Sequence, residues 1–264
     1  MKNLLIIVGL SVLIISCRED NQNDKISISK NTQNEVVKIG QQQEGEKLFK
    51  QYCMACHFIK PDPSKRNQMT APPIIRVVQH YKRIHSERKD FVNAIVNWAN
   101  KPNNDAVLMP GATRKFGLMP PMPIGNKKLE KIAGYLFDAN FEKFGNFKHK
   151  NHRKANFKQI EKQTLDAKDI NQLHQAVSLL QKNNLQSPSA YRQMGEKVFK
   201  IAKNILLNKN YEGKTLQQIQ MFFHQIEEDM HRLMSVKNNN EGEKYRKIVL
   251  KKLQKFDEFF IPKE

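Results

Sequence analysis

Apolar residues recur every three or four positions through most of this chain, and such spacing predicts an all-α protein. In the N-terminal half, helices are predicted from about Gln41 into Cys53, over Asp90–Ala99 and over Lys127–Phe137. In the C-terminal half, three helices are predicted over Asp169–Lys182, Thr215–Val236 and Glu241–Phe260. A fourth is predicted between the first two, and it begins with Ser187 as its N-cap. Because the connections between these last four are short, they favour an antiparallel four-helix bundle.

Segments rich in polar residues, proline and glycine divide this pattern. Residues 17–40 are polar and poor in aromatics, which predicts a disordered tether. Residues 41–140 and 166–264 are predicted as two helical domains, joined by a basic linker at 141–165. Within the first domain, the stretch Lys101–Gly125 is so dense in Pro, Gly and Asn that we expect no regular structure there.

The N-terminus has the features of a secretory signal peptide. A charged start at Met1-Lys2-Asn3 precedes a predominantly apolar run of twelve residues, which is too short to span a bilayer as an ordinary helix. The run ends Leu-Ile-Ile-Ser-Cys, which resembles a bacterial lipobox with Cys17 as the lipidated residue. We therefore expect residues 1–16 to be removed and the protein to be lipid-anchored in a bacterial cell envelope, facing the periplasm or the cell surface. The alternative is a plain secretory signal with an incidental cysteine.

Residues 53–57 read Cys-Met-Ala-Cys-His, and C-x-x-C-H is the attachment signature of a c-type haem. Cys53 and Cys56 are three positions apart, so on a helical turn both thiols can form thioethers to the haem vinyl groups. His57 then falls beneath the iron as the proximal ligand. With Cys17 taking the lipid, none of the three cysteines remains for a disulfide. A thiol-redox role for this pair is disfavoured because no strand-helix-strand pattern surrounds it.

With these motifs, residues 41–140 resemble a class I (monohaem) cytochrome c domain. Its features here are Gly45 and Phe49 before C-x-x-C-H, a Met-Pro loop, and a last helix bearing Tyr135 and Leu136. The resemblance implies that Gly45 and Phe49 pack across Tyr135 where two helices meet. It also implies that the carbonyl of Pro72 accepts a hydrogen bond from the ring of the proximal histidine, which would orient that ligand. The C-terminal helices resemble no family we recognise.

Three methionines, each followed by a proline, are candidates for the sixth ligand of the iron: Met109, Met119 and Met122. A thioether ligand favours ferrous iron and raises the reduction potential. Met119 has the register most like the ligand of the family, so it is the predicted ligand, and Met122 is the alternative. All three could instead be packing residues of a proline-stiffened loop.

The remaining histidines are expected to play no part in ligation. His80 and His85 lie in a basic stretch and are expected at the surface, and His149 and His152 lie in the basic linker. In the C-terminal half, His224 or His231 with Met194 or Met221 could hold a second, non-covalent haem. We favour the alternative that these histidines lie at the polar edge of the helical seam.

The chain carries a formal net charge of +19. Residues 41–140 hold 16 basic and 8 acidic side chains and residues 141–264 hold 24 and 14, so the charge is spread rather than gathered into a nucleic-acid-binding arm. In an exported protein it favours attraction to anionic lipid or to an acidic redox partner, though solubility alone also explains it.

Together these features predict a membrane-tethered electron carrier with one covalent haem c, and not an enzyme. Two other functions stay open. One is a haem peroxidase or haem-based sensor with a labile sixth ligand; the other is a protein-docking module with an accessory haem.

Overall fold

The computed structural model describes residues 30–141, 161–182 and 185–263. These ranges contain ten α-helices and two short strands. The helices are α1 Lys30–Tyr52, α2 Ile74–Ile84, α3 Arg88–Asn100, α4 Pro110–Phe116, α5 Asn126–Asp138, α6 Ala167–Gln181, α7 Pro188–Leu207, α8 Gly213–His224, α9 Glu227–Leu233 and α10 Asn239–Leu253. The strands β1 Gln163–Leu165 and β2 Phe260–Pro262 pair in parallel. The all-α prediction is confirmed, with this small sheet as an addition.

The core of the N-terminal half lies between α1, α2, α3 and α5. Phe49 and Phe91 have no exposed surface, and Ile132 and Ala133 of α5 are buried against them. Helix α1 passes close to α5 at Gly45, where a Cβ atom would overlap the carbonyl oxygen of Lys131 and the Cβ of Tyr135. The rings of Phe49 and Tyr135 lie 5.7 Å apart between centroids. This is the packing that the resemblance implied.

Helix α1 begins at Lys30, so residues 30–40, which were predicted to belong to the tether, are helical. Extending a helix that is already nucleated costs little, and polar residues such as Gln and Lys are good helix formers. The predicted signal peptide and Cys17 lie outside the described residues, as does most of the basic linker. Within the described part of the chain, no helix is long and apolar enough to cross a membrane.

Two helices form where the sequence pattern predicts none. Helix α2 buries Ile74, Ile75, Val78 and Tyr81 on one face. Helix α4 lies inside the stretch Lys101–Gly125, so the prediction that this stretch lacks regular structure is wrong. It starts with Pro110 at its first turn and ends at Phe116, and the following Gly117 has a φ of 81°, which glycine adopts readily.

The C-terminal half contains five described helices around one apolar core rather than the four predicted. Helix α7 begins as predicted, with the hydroxyl of Ser187 accepting a hydrogen bond from the amide of Ala190 at 3.2 Å. The predicted helix over Thr215–Val236 is interrupted at Gln225 and Ile226. The three acidic residues that follow, Glu227, Glu228 and Asp229, occupy the first turn of α9, where negative charge is favourable.

The two halves pack against each other within the compact unit formed by residues 38–264. Helix α4 lies against α7, and α2 lies against α9. The ammonium of Lys203 donates to the carbonyl oxygen of Asp105 at 2.7 Å, and the guanidinium of Arg114 donates to the carbonyl oxygen of Tyr211 at 2.5 Å. Helix α4 and the turn before it are therefore tied to the C-terminal half.

Candidate haem site

A single cavity in the N-terminal half brings the predicted haem-binding residues together. Its volume is about 1270 Å³ including the space at its mouth, and its walls are almost entirely apolar. A large apolar cavity with a few polar groups is typical of cofactor sites. The predicted site residues on its wall are Cys53, Cys56, His57, Pro72, Met109, Met119 and Met122.

The end of α1 places the two cysteines on the cavity wall. The amide of Cys53 still bonds to the carbonyl of Phe49, and the amides of Cys56 and His57 then both donate to the carbonyl of Cys53, at 3.2 and 3.0 Å. These bonds close a tight turn directly after the helix. Cys53 is half-buried and Cys56 is exposed, and neither forms a disulfide.

The environment of Cys53 opposes a thiol-redox role. Burial, and secondarily the neighbouring Cys56, raise the pKa of the Cys53 thiol to about 11. Since the thiolate is the reactive form in disulfide exchange, this thiol is held in its unreactive form at neutral pH.

His57 is oriented by the residue that the resemblance indicated. Its Nδ1 lies 2.7 Å from the carbonyl oxygen of Pro72. The amides of Ile74 and Ile75 bond to the carbonyls of Phe58 and Ile59, so the two segments that carry this pair are joined by backbone hydrogen bonds.

The protonation state of His57 suits a metal ligand. Burial lowers the pKa of the imidazole, and the smaller effect of the Pro72 hydrogen bond opposes this shift. At neutral pH the ring is therefore neutral. With Nδ1–H donated to Pro72, the lone pair is on Nε2, the nitrogen that an iron ligand offers.

The methionines reach the cavity from the segment that contains α4. Met109 precedes the first residue of α4, whereas Met119 and Met122 follow the helix and pack against the core of the N-terminal half. The amide of Met122 donates to the carbonyl of Ala99 at 2.8 Å, which fixes its backbone to the end of α3. All three side chains line the cavity, so Met119 stays the predicted ligand and Met122 the alternative.

Basic and apolar side chains lie at the edge of the cavity. Lys128 lies over the ring of Tyr52, and Lys115 lies over the ring of Phe116; both rings line the cavity. Leu118, another lining residue, is 42% exposed. The cavity thus has an apolar wall next to positive charge.

The sequence did not indicate how far α2 and α4 contribute to the cavity. Ile74 and Val77 come from α2, and Ala112 and Phe116 come from α4. In both helices the sequence signal is the helical spacing of the apolar residues. The prolines at the start of each helix are also typical of loops, and they obscured that signal.

The prediction that His231 lies at a polar edge is wrong, because it has no exposed surface. The ring of His231 contacts the rings of Phe199 and His80. His224, by contrast, is exposed as expected. His80 is half-buried against His231 rather than at the surface. His149 and His152 lie outside the described residues.

Comparison with known proteins identifies no family for this chain. No protein-family model and no solved structure matches it. One similar sequence is a protein of Aquifex aeolicus (strain VF5) that is described as uncharacterized. It is 26% identical over 127 residues, which cover 42% of this chain and 84% of that protein.

Proposed function

We propose that the protein is a membrane-tethered c-type cytochrome that carries single electrons between redox partners of the bacterial cell envelope. The observation that carries this proposal is the cavity shared by the C-x-x-C-H residues and the three methionines. The two sets are separated by more than fifty positions in the sequence, and both line the same apolar cavity. A covalent haem c, when bound, would supply one-electron chemistry at the iron.

Each residue of the site has a distinct part in this proposal. Cys53 and Cys56 would hold the haem through thioether bonds, and His57 would ligate the iron with Nε2. Pro72 is a positioning residue that holds the imidazole through its carbonyl oxygen, 2.7 Å from Nδ1. Met119, or alternatively Met122, would supply the sixth ligand.

The edge of the cavity supports an acidic redox partner. Lys115 and Lys128 lie over aromatic rings of the cavity wall, and the whole chain carries a formal net charge of +19. Positive charge around a partly exposed cofactor speeds encounter with an acidic surface more than it tightens binding. A lipid at Cys17 would keep the protein near membrane-bound partners.

A second candidate function is a haem-based sensor or peroxidase with a labile sixth ligand. The observation in its favour is that the methionine-bearing segment is tied to the C-terminal half through Asp105 and Arg114. A partner that bound the C-terminal half could thereby displace the methionine. Binding of carbon monoxide by the native ferrous protein would support this function, and a persistent methionine-to-iron absorption in the far red would contradict it.

The proposal is tested by producing the full chain in cells that attach haem c and purifying it. We expect a haem-stained band on a denaturing gel and reduced-minus-oxidised spectra of a low-spin c-type cytochrome. The variant with Cys53→Ser and Cys56→Ser should lose the stained band. The control variant Cys17→Ser should keep the band and lose only its membrane association. An unstained wild-type band would contradict the proposal.

A further inference from the structure

A second group of potential metal ligands lies where α2 meets α9. Side-chain atoms of His80, Glu227 and His231 that could bind a cation all lie within 4.8 Å of one another. Glu227 and His231 are four positions apart on α9, so both project from the same face of that helix. His80 approaches from α2, and its ring meets that of His231 edge to face at a centroid distance of 5.4 Å.

His231 is buried without the hydrogen bonds that a polar side chain normally makes in a protein core. It has no exposed surface, and neither Nδ1 nor Nε2 has a hydrogen-bond partner. The carbonyl of Leu108 is near enough to influence the imidazole but does not meet hydrogen-bond geometry. Because buried polar groups are nearly always partnered, an orphaned imidazole beside a carboxylate and a second imidazole indicates a missing ligand.

The cationic side chain beside the cluster has a carboxylate partner of its own. Arg83 extends from α2 toward this region and forms an ion pair with Glu228, whose Oε2 lies 3.6 Å from its guanidinium. Glu228 also accepts from Arg232 at 2.7 Å. The carboxyl group of Glu227 faces the two imidazoles within the cluster.

We propose that His80, Glu227 and His231 bind one divalent transition-metal ion, with Zn²⁺ as the reference cation. Two imidazoles and one carboxylate are a ligand set that Zn²⁺ and related ions accept, with a further position left for water. In a tetrahedral zinc site the ligand atoms are about 3.3 Å apart, given zinc–ligand bonds of about 2.0–2.1 Å. Because the ligand atoms lie within 4.8 Å of one another, binding would draw them together by up to about 1.5 Å.

The position of the site gives the ion a structural role. His80 belongs to the helix that supplies Ile74 and Val77 to the haem cavity, whereas the other two ligands belong to the C-terminal half. A cation there would clamp α2 onto α9. The site does not depend on the haem, so it is separate from the proposed electron-transfer function.

The test uses the full-length protein, treated with a chelator, titrated with Zn²⁺ by calorimetry and passed through gel filtration. Elemental analysis then gives zinc and iron per chain separately, so that failure of this site is distinguished from failure of the haem proposal. We expect one zinc per chain in the wild type. Both Glu227→Gln and His80→Gln should bind Zn²⁺ at least about 10-fold more weakly, as loss of even an outer-shell partner does.

Two control variants separate this site from adventitious binding by other histidines. His224→Gln removes an exposed histidine of the neighbouring helix, and a variant with His149→Gln and His152→Gln removes the pair in the basic linker. Both should keep full affinity, and circular dichroism should show that every variant is folded. The proposal is overturned if the wild type retains no zinc, if only one of the two ligand variants loses affinity, or if a control variant loses it.

Discussion

At the scale of single residues, the cavity contains one candidate for the proximal ligand of the proposed haem and three candidates for the distal ligand. His57 has one acceptor for Nδ1, the carbonyl of Pro72, and one free lone pair. The thioether groups of three methionines, on the residues that flank α4, reach the same cavity. Thioethers are neutral and weakly basic, so a methionine that ligated the iron of the proposed haem would raise the reduction potential without changing the local charge.

We expect Met119→Leu to abolish the far-red absorption of a methionine-ligated ferric haem and to lower the reduction potential. Leucine keeps the volume of the side chain but has no sulfur, so packing is largely preserved. Spectroscopy and redox titration of the purified protein check this. Met122→Leu is the matched control and should keep the band. If the outcomes are reversed, Met122 is the ligand.

Arg246 and Glu243 form a partly buried ion pair whose stabilising effect depends on pH. The Arg246 side chain is 6% exposed and donates to Glu243 and to the carbonyl of Leu180. This guanidinium is the main reason that the pKa of Glu243 falls to about 2. Because the pKa is lowered in the folded state, the stabilisation is present above the ordinary pKa near 4.5 and is lost as the pH falls toward 2.

We expect Glu243→Gln to lower the free energy of unfolding by about 1–2 kcal/mol at pH 7. This is less than for a fully buried pair, because about a third of the Glu243 side chain is exposed. Urea unfolding at pH 7, 4 and 3 should show the difference from wild type shrinking toward low pH. Glu258→Gln, which changes an exposed carboxylate in the segment after α10, should show almost no difference. An equal loss at pH 7 and pH 3 would contradict the pairing.

At the scale of helices, the approach of α1 to α5 depends on the absence of a side chain at Gly45. A methyl group there would overlap the backbone of Lys131 and the side chain of Tyr135. We expect Gly45→Ala to destabilise the fold by about 1–3 kcal/mol, although alanine is the better helix former by about 1 kcal/mol. Thermal unfolding of the purified protein measures this change.

Gly40 provides the matched control, since it lies in the same helix and a methyl group added to it would meet no heavy atom within 4 Å. Gly40→Ala should be neutral or stabilising by up to about 1 kcal/mol. If both alanine variants were equally stable, α1 and α5 would not meet at Gly45 as described.

The elements that the sequence predicted well carry their signals locally. The apolar stripe of α5 and the Ser187 cap of α7 are examples, and each was found within two residues of its observed bounds. Helix α4 also has a local signal, a proline at its first turn and a glycine after its last residue, but both residues are equally typical of loops. The break between α8 and α9 was missed because an apolar period continues across it, although three acidic residues mark the new helix start.

The candidate site was predictable to the extent that its residues are contiguous in the sequence. C-x-x-C-H is such a motif, and so are the Met-Pro steps. The cluster of His80, Glu227 and His231 joins positions about 150 residues apart, and only the packing of α2 on α9 brings them together. No local pattern encodes that packing, which depends on the shapes of two separate cores.

At the scale of the whole molecule, the C-terminal half is in direct contact with the segment that bears the methionines. Lys203 is 6% exposed, and its ammonium donates to the carbonyl of Asp105 on the approach to α4. Arg114 of α4 donates in turn to the carbonyl of Tyr211. The second half of the chain therefore stabilises the segment around α4, on the distal side of the proposed haem site.

We expect the variant with Lys203→Gln and Arg114→Gln to exchange the backbone amide hydrogens of residues 104–117 about 5- to 150-fold faster than wild type. Each lost hydrogen bond contributes about 0.5–1.5 kcal/mol, and local opening rather than global unfolding exposes such segments to exchange. Hydrogen–deuterium exchange followed by mass spectrometry measures this directly, and the amides of α10 should be unaffected. Lys200→Gln is the control, because Lys200 is an exposed lysine of the same helix as Lys203. If exchange in residues 104–117 is the same in the variant and in wild type, these two hydrogen bonds do not stabilise the segment around α4, and the prediction is wrong.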